Sequence, residues 1–378
     1  MMTRRRSLIL PLLLLPSLLG CGSGKAPAEP PPLGEQALAA VTARPGTGRE
    51  ELARAIDDLF ADEDAGTTRA LVILYQGRKV AERYTTGFGP RTRLNGGAIG
   101  NCVTNVMIGL LVADGRLRLN ESAPVPRWQR SGDPRGEITL RQLLQMRSGL
   151  SYSETSDRAH ASDKSRMLFL DGRDNMAAYA EAQPLEAEPG RKFEFSSATP
   201  IILADIAAHT LTDSPAPAIR AKAVADYLRT RFLEPAGMRS LAPEFDVAGT
   251  LIGGDMMHAT VHDWAKLGEF LRNGGSVRGA QLLPHGWVTF MTSASSRNPG
   301  YGAGVWLNRP QPEGIGNRLF PGKAPSSLFA CIGEGGQYVL VSPRQKLTVV
   351  RLGEAGNDDM GDSLRDHLAD IVALFPQS

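Results

Sequence analysis

The sequence predicts an α/β (α+β) fold, with an antiparallel sheet built from both chain ends, flanked by helices, plus a separate helical lobe. Three observations carry this. The β-rich runs Ala70–Tyr75 and Val80–Tyr84 lie early in the chain, joined by Gln76-Gly77-Arg78-Lys79 as a hairpin. Comparable runs return only near the end, Gln337–Val341 and Leu347–Leu352, joined by the turn Ser342-Pro343-Arg344-Gln345. Between them, from Ala177 to about Leu271, the pattern is mostly helical and rich in Ala and Leu, with breaks at Pro189-Gly190 and Pro235-Ala236-Gly237. Strands at both ends that enclose a helical middle imply one sheet and a second lobe. A functional site is then expected in the cleft between them.

The remaining elements follow in order. Arg4-Arg5-Arg6 precedes the apolar run Leu8–Leu19, which is shorter than the roughly 20 residues a spanning helix needs and reads as a secretion signal. The run ends in Leu18-Leu19-Gly20-Cys21, which resembles a bacterial lipobox; the resemblance implies a lipidated Cys21 as first mature residue. Several acyl chains on one cysteine would hold the protein to a membrane surface in the bacterial cell envelope, with the periplasmic side expected. We therefore divide the chain into a signal peptide (1–20), a Gly/Ser/Ala/Pro-rich tether (21–34) and one domain (35–378), whose helical lobe covers roughly 120–290. Ala53, Ile56, Leu59 and Phe60 recur at helical spacing. Thr139 is an N-cap before Leu140, Leu143 and Leu144, and Met360–Leu374 is a final amphipathic helix.

The chain has 378 residues, 42% hydrophobic and 22% charged, which is enough for a large core. Its 42 basic and 40 acidic residues leave a net charge of +2, which gives no electrostatic basis for nucleic-acid binding. An oxidising compartment permits a disulfide between Cys102 and Cys331, but two cysteines do not make a disulfide framework, and two buried free thiols are the favoured reading. His258 and His262 stand four apart, but Thr260 before Asp263 suggests a helix start between them. His160, His209, His285 and His367 are isolated. No metal and no cofactor are expected.

The segment on which the fold turns is Leu94–Leu111, a Gly-rich entry into a long apolar helix that ends at Asp114-Gly115. From about Ala70 onward the chain resembles the serine β-lactamase-like hydrolases, which include class C β-lactamases, DD-peptidases and related esterases, and it looks closest to the 6-aminohexanoate-dimer hydrolase branch. The signposts are Leu143–Leu150 (Leu-Leu-Gln-Met-Arg-Ser-Gly-Leu), Ser165–Phe169, Pro189-Gly190, Ala259-Thr260 before Asp263-Trp264-Ala265, Tyr301–Trp306 and Gly335-Gly336-Gln337-Tyr338. Ser148 belongs to one of these turns and reads as structural.

The resemblance implies three catalytic elements, and all three are altered. A Ser-x-x-Lys pair at a helix start would put hydroxyl and amine on one face; Ala98 and Asn101 stand there. A Tyr-led triplet would relay protons; Phe195-Ser196-Ser197 keeps the serines without the phenol. A strand bearing Lys-Thr-Gly or His-x-Gly would supply a cationic or proton-carrying group; Gly333-Glu334-Gly335-Gly336 places a carboxylate there. The chain contains no Ser-x-x-Lys and no Gly-x-Ser-x-Gly elbow. Cys102 reads as a small buried hydrophobe, and strand alternation points Cys331 away from Glu334.

The expectation is a catalytically inactive relative that binds a small molecule, peptide or envelope partner through Ala98, Asn101, Phe195, Ser196, Ser197, Glu334, Gly335 and Gly336. A carboxylate at Glu334 would disfavour ligand carboxylates and prefer amines. The alternatives are an active esterase, amidase or β-lactamase with another nucleophile, and a purely structural envelope protein.

Overall fold

The computed structural model describes residues 32–158, 160–313, 315–354 and 360–377. The signal segment, Cys21 and nearly all of the tether lie outside the described residues.

Along the chain, α1 (Arg49–Ala61) precedes the hairpin of β1 (Thr67–Tyr75) and β2 (Arg78–Tyr84). The turn is tighter than expected. Gln76 and Gly77 alone form it, with φ of 52° and 76°, the paired left-handed conformation that suits the twist of adjoining strands. A 3₁₀ turn at Gly97–Ile99 then feeds α2 (Gly100–Ala113). The helical lobe holds α3 (Leu140–Leu144), α4 (Asp163–Phe169), α5 (Met176–Glu181), α6 (Ala198–Leu211), α7 (Pro217–Leu228) and α8 (Val261–Arg272). The chain returns through β3 (Trp306–Leu307), β4 (Phe329–Gly333), β5 (Gln337–Ser342) and β6 (Leu347–Glu354), and α9 (Met360–Ala373) follows. No helix among the described residues is long and apolar enough to cross a membrane.

The strands pair in the order β2-β1-β6-β5-β4-β3, every pair antiparallel. The two ends of the chain meet where β1 pairs β6, from Ala70 opposite Leu352 to Tyr75 opposite Leu347. Period-two alternation divides the core into two layers. Leu71, Ile73, Leu340 and Val349 pack with Leu52, Ile56 and Leu59 of α1 and Leu364, Leu368 and Val372 of α9. Ala70, Val72, Val339, Val341 and Val350 face the other way, toward Leu267, Phe270 and the helical lobe. Leu52, Ile56 and Leu59 are wholly buried; each contributes about 1.5–3 kcal/mol by leaving water.

The caps explain where helices begin. Thr139 and Gln142 form a reciprocal capping box on α3, and the Thr260 hydroxyl accepts from the Asp263 N–H to start α8. That cap separates the two histidines. His258 lies on the short strand Met257–Ala259 beside Glu244, and His262 lies on α8 with Nε2 2.8 Å from Glu82.

The helical reading of Ala177–Leu271 needs correction. Residues 182–197 and 238–260 are largely irregular, so their Ala/Leu content misleads. Segments docked on a preformed core do not need helical propensity, because tertiary packing overrides that weak prior.

Candidate functional site

α2 runs through the centre of the molecule, and every residue from Gly100 to Leu111 is buried. A helix apolar on all sides must be enclosed, so only its leading end can reach a cleft. That end is the Gly97–Ile99 turn, which holds Ala98 half-buried. The helix therefore starts two residues later than the sequence suggests. Gly333 explains the close fit, because a Cβ there would lie 2.1 Å from the Gly96 carbonyl and 3.1 Å from the Ala98 nitrogen. The Ala98 turn and the end of β4 thus abut through bare backbone.

Ala98, Phe195, Glu334, Gly335 and Gly336 line one cleft of about 500 Å³. Residues distant in sequence meet as expected. The other three candidates are buried and do not line it. Asn101 is 4% exposed, and its Oδ1 has no hydrogen-bond partner. Ser196 Oγ accepts from the Ala198 N–H at 3.2 Å. Ser197 turns to Glu154, to which its hydroxyl donates at 3.0 Å and its N–H also donates. The reason is the start of α6: its first amides need acceptors, and the neighbouring side chains fold inward to supply them.

Glu334 also differs from expectation. It belongs to no strand, because β4 ends at Gly333 and residues 334–336 form the turn into β5. Gly335 and Gly336 have φ of 70° and 76°, which makes this turn accessible mainly to glycine. The turn is anchored from behind. Arg351 is wholly buried and donates through Nη1 to the carbonyls of Gly335 (3.2 Å) and Gly336 (2.9 Å). Gln337 Nε2 donates to the carbonyls of Glu334 and Gly335, both at 3.1 Å. Burial pulls the Arg351 guanidinium down to about 10, which leaves it charged at neutral pH.

One further cleft residue, Glu154, and a lysine paired with the cleft's glutamates, Lys164, carried no direct signal in the sequence. Glu154, from the loop before α4, lines the cleft, and burial raises its carboxyl above the usual range against the opposing bonds from Ser197 and the charge of Lys164. Lys164 on α4 forms an ion pair with Glu334 and lies 3.8 Å from Glu154. It follows the N-terminal residue of α4 and directly precedes the Ser165–Phe169 signpost, which is the only hint the sequence offers. The floor is aromatic. Phe195 packs on Trp306 with centroids 5.6 Å apart, and Arg318 lies over Trp306 at 5.4 Å.

The expectation of two free thiols is overturned. Cys102 on α2 and Cys331 on β4 form a disulfide with Cα atoms 6.1 Å apart, within the ordinary range for such a bond. The packing of α2 against β4 brings together residues 229 apart in sequence. Among the described residues, no group of three or more His, Cys, Asp and Glu side chains is placed to hold a metal ion.

Comparison with known proteins agrees with this architecture. No curated protein matches the chain. Among solved structures, the "putative 6-aminohexanoate-dimer hydrolase" of Bacillus anthracis superposes with a TM-score of 0.65 at 20% identity, covering 83% of this chain and 82% of its own. EstCE1, a hydrolase with promiscuous acyltransferase activity, superposes at 0.61 with 17% identity over 86% of this chain and 99% of its own. A novel penicillin-binding-protein homologue from Caulobacter crescentus gives 0.58 at 16% identity, over 88% and 98%. At such identities the likeness establishes the shared fold. The model of the family described as Beta-lactamase matches residues 54–373, most of the chain, and the protein is accordingly a member of the β-lactamase family of serine hydrolases.

Proposed function

We propose that this chain is a catalytically inactive family member that binds a small molecule, peptide or envelope partner in the former active-site cleft. The observation that carries the reading is Ala98, a methyl group on the cleft wall where the family resemblance puts a nucleophile, with Phe195 and Glu334 beside it in the same cleft. Loss of a serine hydrolase's nucleophile costs on the order of a million-fold in turnover, and further losses in the same unit add little.

A second reading has one specific support. Ser197 is a hydroxyl paired with a carboxylate, Glu154, at the start of α6, the arrangement of a nucleophile and its base. Against it, Glu154 accepts the Ser197 N–H as well, so it serves the helix start. Labelling with a fluorophosphonate and with a tagged penicillin, read by intact mass, separates the two. The expected result is no adduct on the wild-type protein. An adduct on Ser197 would establish the second reading. An Ala98→Ser, Asn101→Lys, Phe195→Tyr, Glu334→His revertant that alone becomes labelled would show a cleft lacking only its reactive groups.

Export with a lipid anchor on Cys21 belongs to the same proposal. It rests on the lipobox-like Leu18–Cys21, and a disulfide between Cys102 and Cys331 suits an oxidising compartment. Cys21→Ser is expected to move the protein from the membrane fraction to the soluble one; unchanged fractionation would rule out this anchor.

A further inference from the structure

We propose that Glu154 and Glu334 together form an ammonium site in the cleft, filled in this structure by the chain's own Lys164, and that the cleft's ligands present a primary amine to it. The inference rests on the binding reading above and names the chemistry of the ligand.

The two carboxylates come from different parts of the molecule, Glu154 from the loop ahead of α4 and Glu334 from the turn between β4 and β5. Both line the same cleft. They converge on a single Nζ, paired to Glu334 and 3.8 Å from Glu154. Two carboxylates around one ammonium leave an excess of negative charge. Arg365 pairs with Asp362, and Arg318, over the face of Trp306, keeps its positive charge, so the excess is local to the position between the two glutamates.

Lys164 is a displaceable occupant. Its side chain is 14% exposed, but that of Glu334 is 67% exposed, and an ion pair with so wet a partner contributes little. A ligand ammonium that takes the place of Nζ regains both carboxylates, while the freed lysine reaches solvent on a flexible four-carbon stem. The aromatic floor of Phe195 and Trp306 then offers its apolar surface to the body of the ligand.

The test uses three probes of one shape, benzylamine, benzyl alcohol and benzoate, titrated calorimetrically into the full chain. Benzylamine is expected to bind at least about tenfold more tightly than benzyl alcohol, with benzoate weakest. Lys164→Met, which removes the internal competitor and keeps the apolar stem, is expected to tighten benzylamine by about tenfold and leave benzyl alcohol unchanged. Glu334→Gln, on an exposed turn, is expected to erase most of the amine advantage. Equal affinities for the three probes, or no response of benzylamine to Lys164→Met, would overturn the ammonium site and leave the cleft a binding site. Failure of all three to bind would overturn the cleft-binding reading as well.

Discussion

Replacing Cys102 and Cys331 together by alanine is expected to lower the unfolding free energy by about 3–5 kcal/mol. The bond closes a separation of 229 residues, and the entropy removed from the unfolded chain grows with the logarithm of the loop, to about 5 kcal/mol at this length. Alanine is the appropriate replacement because both sites are wholly buried, and a serine hydroxyl there would add its own desolvation cost. Equilibrium unfolding in urea measures the loss as a shift of the midpoint. Alkylation of the denatured, unreduced protein provides the control, with neither cysteine expected to react. The bond also has a local consequence. It ties α2, whose lead-in turn holds Ala98, to β4, which leads into the turn that carries Glu334, so the two walls of the cleft are joined covalently. The variant is therefore expected to weaken benzylamine binding under conditions where it is still folded. Unfolding free energies within about 1 kcal/mol of each other would show that the bond contributes nothing to the protein in solution.

That disulfide also marks where reading the sequence stops. The strands β1, β2, β5 and β6 were legible as short runs rich in β-branched and aromatic residues bounded by turns, and the helices α1 and α9 because apolar residues recur in them near a period of 3.6. The cleft positions Ala98, Phe195 and Glu334 were legible because the order of short motifs fixes them. A contact between Cys102 and Cys331 leaves no local trace, since it depends on how α2 docks on the sheet. Lys164 and Glu154 are equally silent: each is an ordinary charged residue near a helix start until the fold turns it toward Glu334. Alternation failed for Glu334 because Gly335 and Gly336 turn the chain where a strand was expected to continue. Ser196 and Ser197 turn into buried hydrogen bonds instead of the cleft, and Asn101 is buried with its Oδ1 unpartnered. Position in a motif fixes where the backbone goes, whereas the hydroxyls of Ser196 and Ser197 turn to the nearest unsatisfied partner.

Arg351→Met is expected to destabilise the protein by about 2–4 kcal/mol and to abolish cleft binding at temperatures where the fold persists. Arg351 stands in β6 as the single charge of the stretch Leu347–Leu352, and no part of its surface is exposed. Its bonds explain its place there. Nε donates to the Thr68 hydroxyl at 3.0 Å, Nη1 to the carbonyls of Gly335 and Gly336, and Nη2 to the Glu354 carbonyl at 3.3 Å. Methionine matches much of the apolar stem but leaves the buried Thr68 hydroxyl and the part-buried carbonyls of the turn without their donor; a fully buried orphan costs about 1–3 kcal/mol, and one that water reaches costs less. Relief from burying a charge offsets part of that, which places the net in the range given. Lysine is not expected to rescue the site. It keeps the charge, but its compact ammonium cannot reproduce the planar fork that serves Thr68 on one side and the turn on the other. The consequence for function follows from what the arginine holds. The 334–336 turn has two left-handed glycines and is fixed by Arg351 and Gln337 from behind, so Glu334 owes its position in the cleft to them. Urea unfolding and benzylamine titration of Arg351→Met and Arg351→Lys, run beside Glu334→Gln, separate the two effects. Both Arg351 variants should lose stability and binding together, while Glu334→Gln should lose the amine preference alone. An Arg351→Met protein that binds benzylamine as the wild type does would show that the turn holds its shape without the arginine.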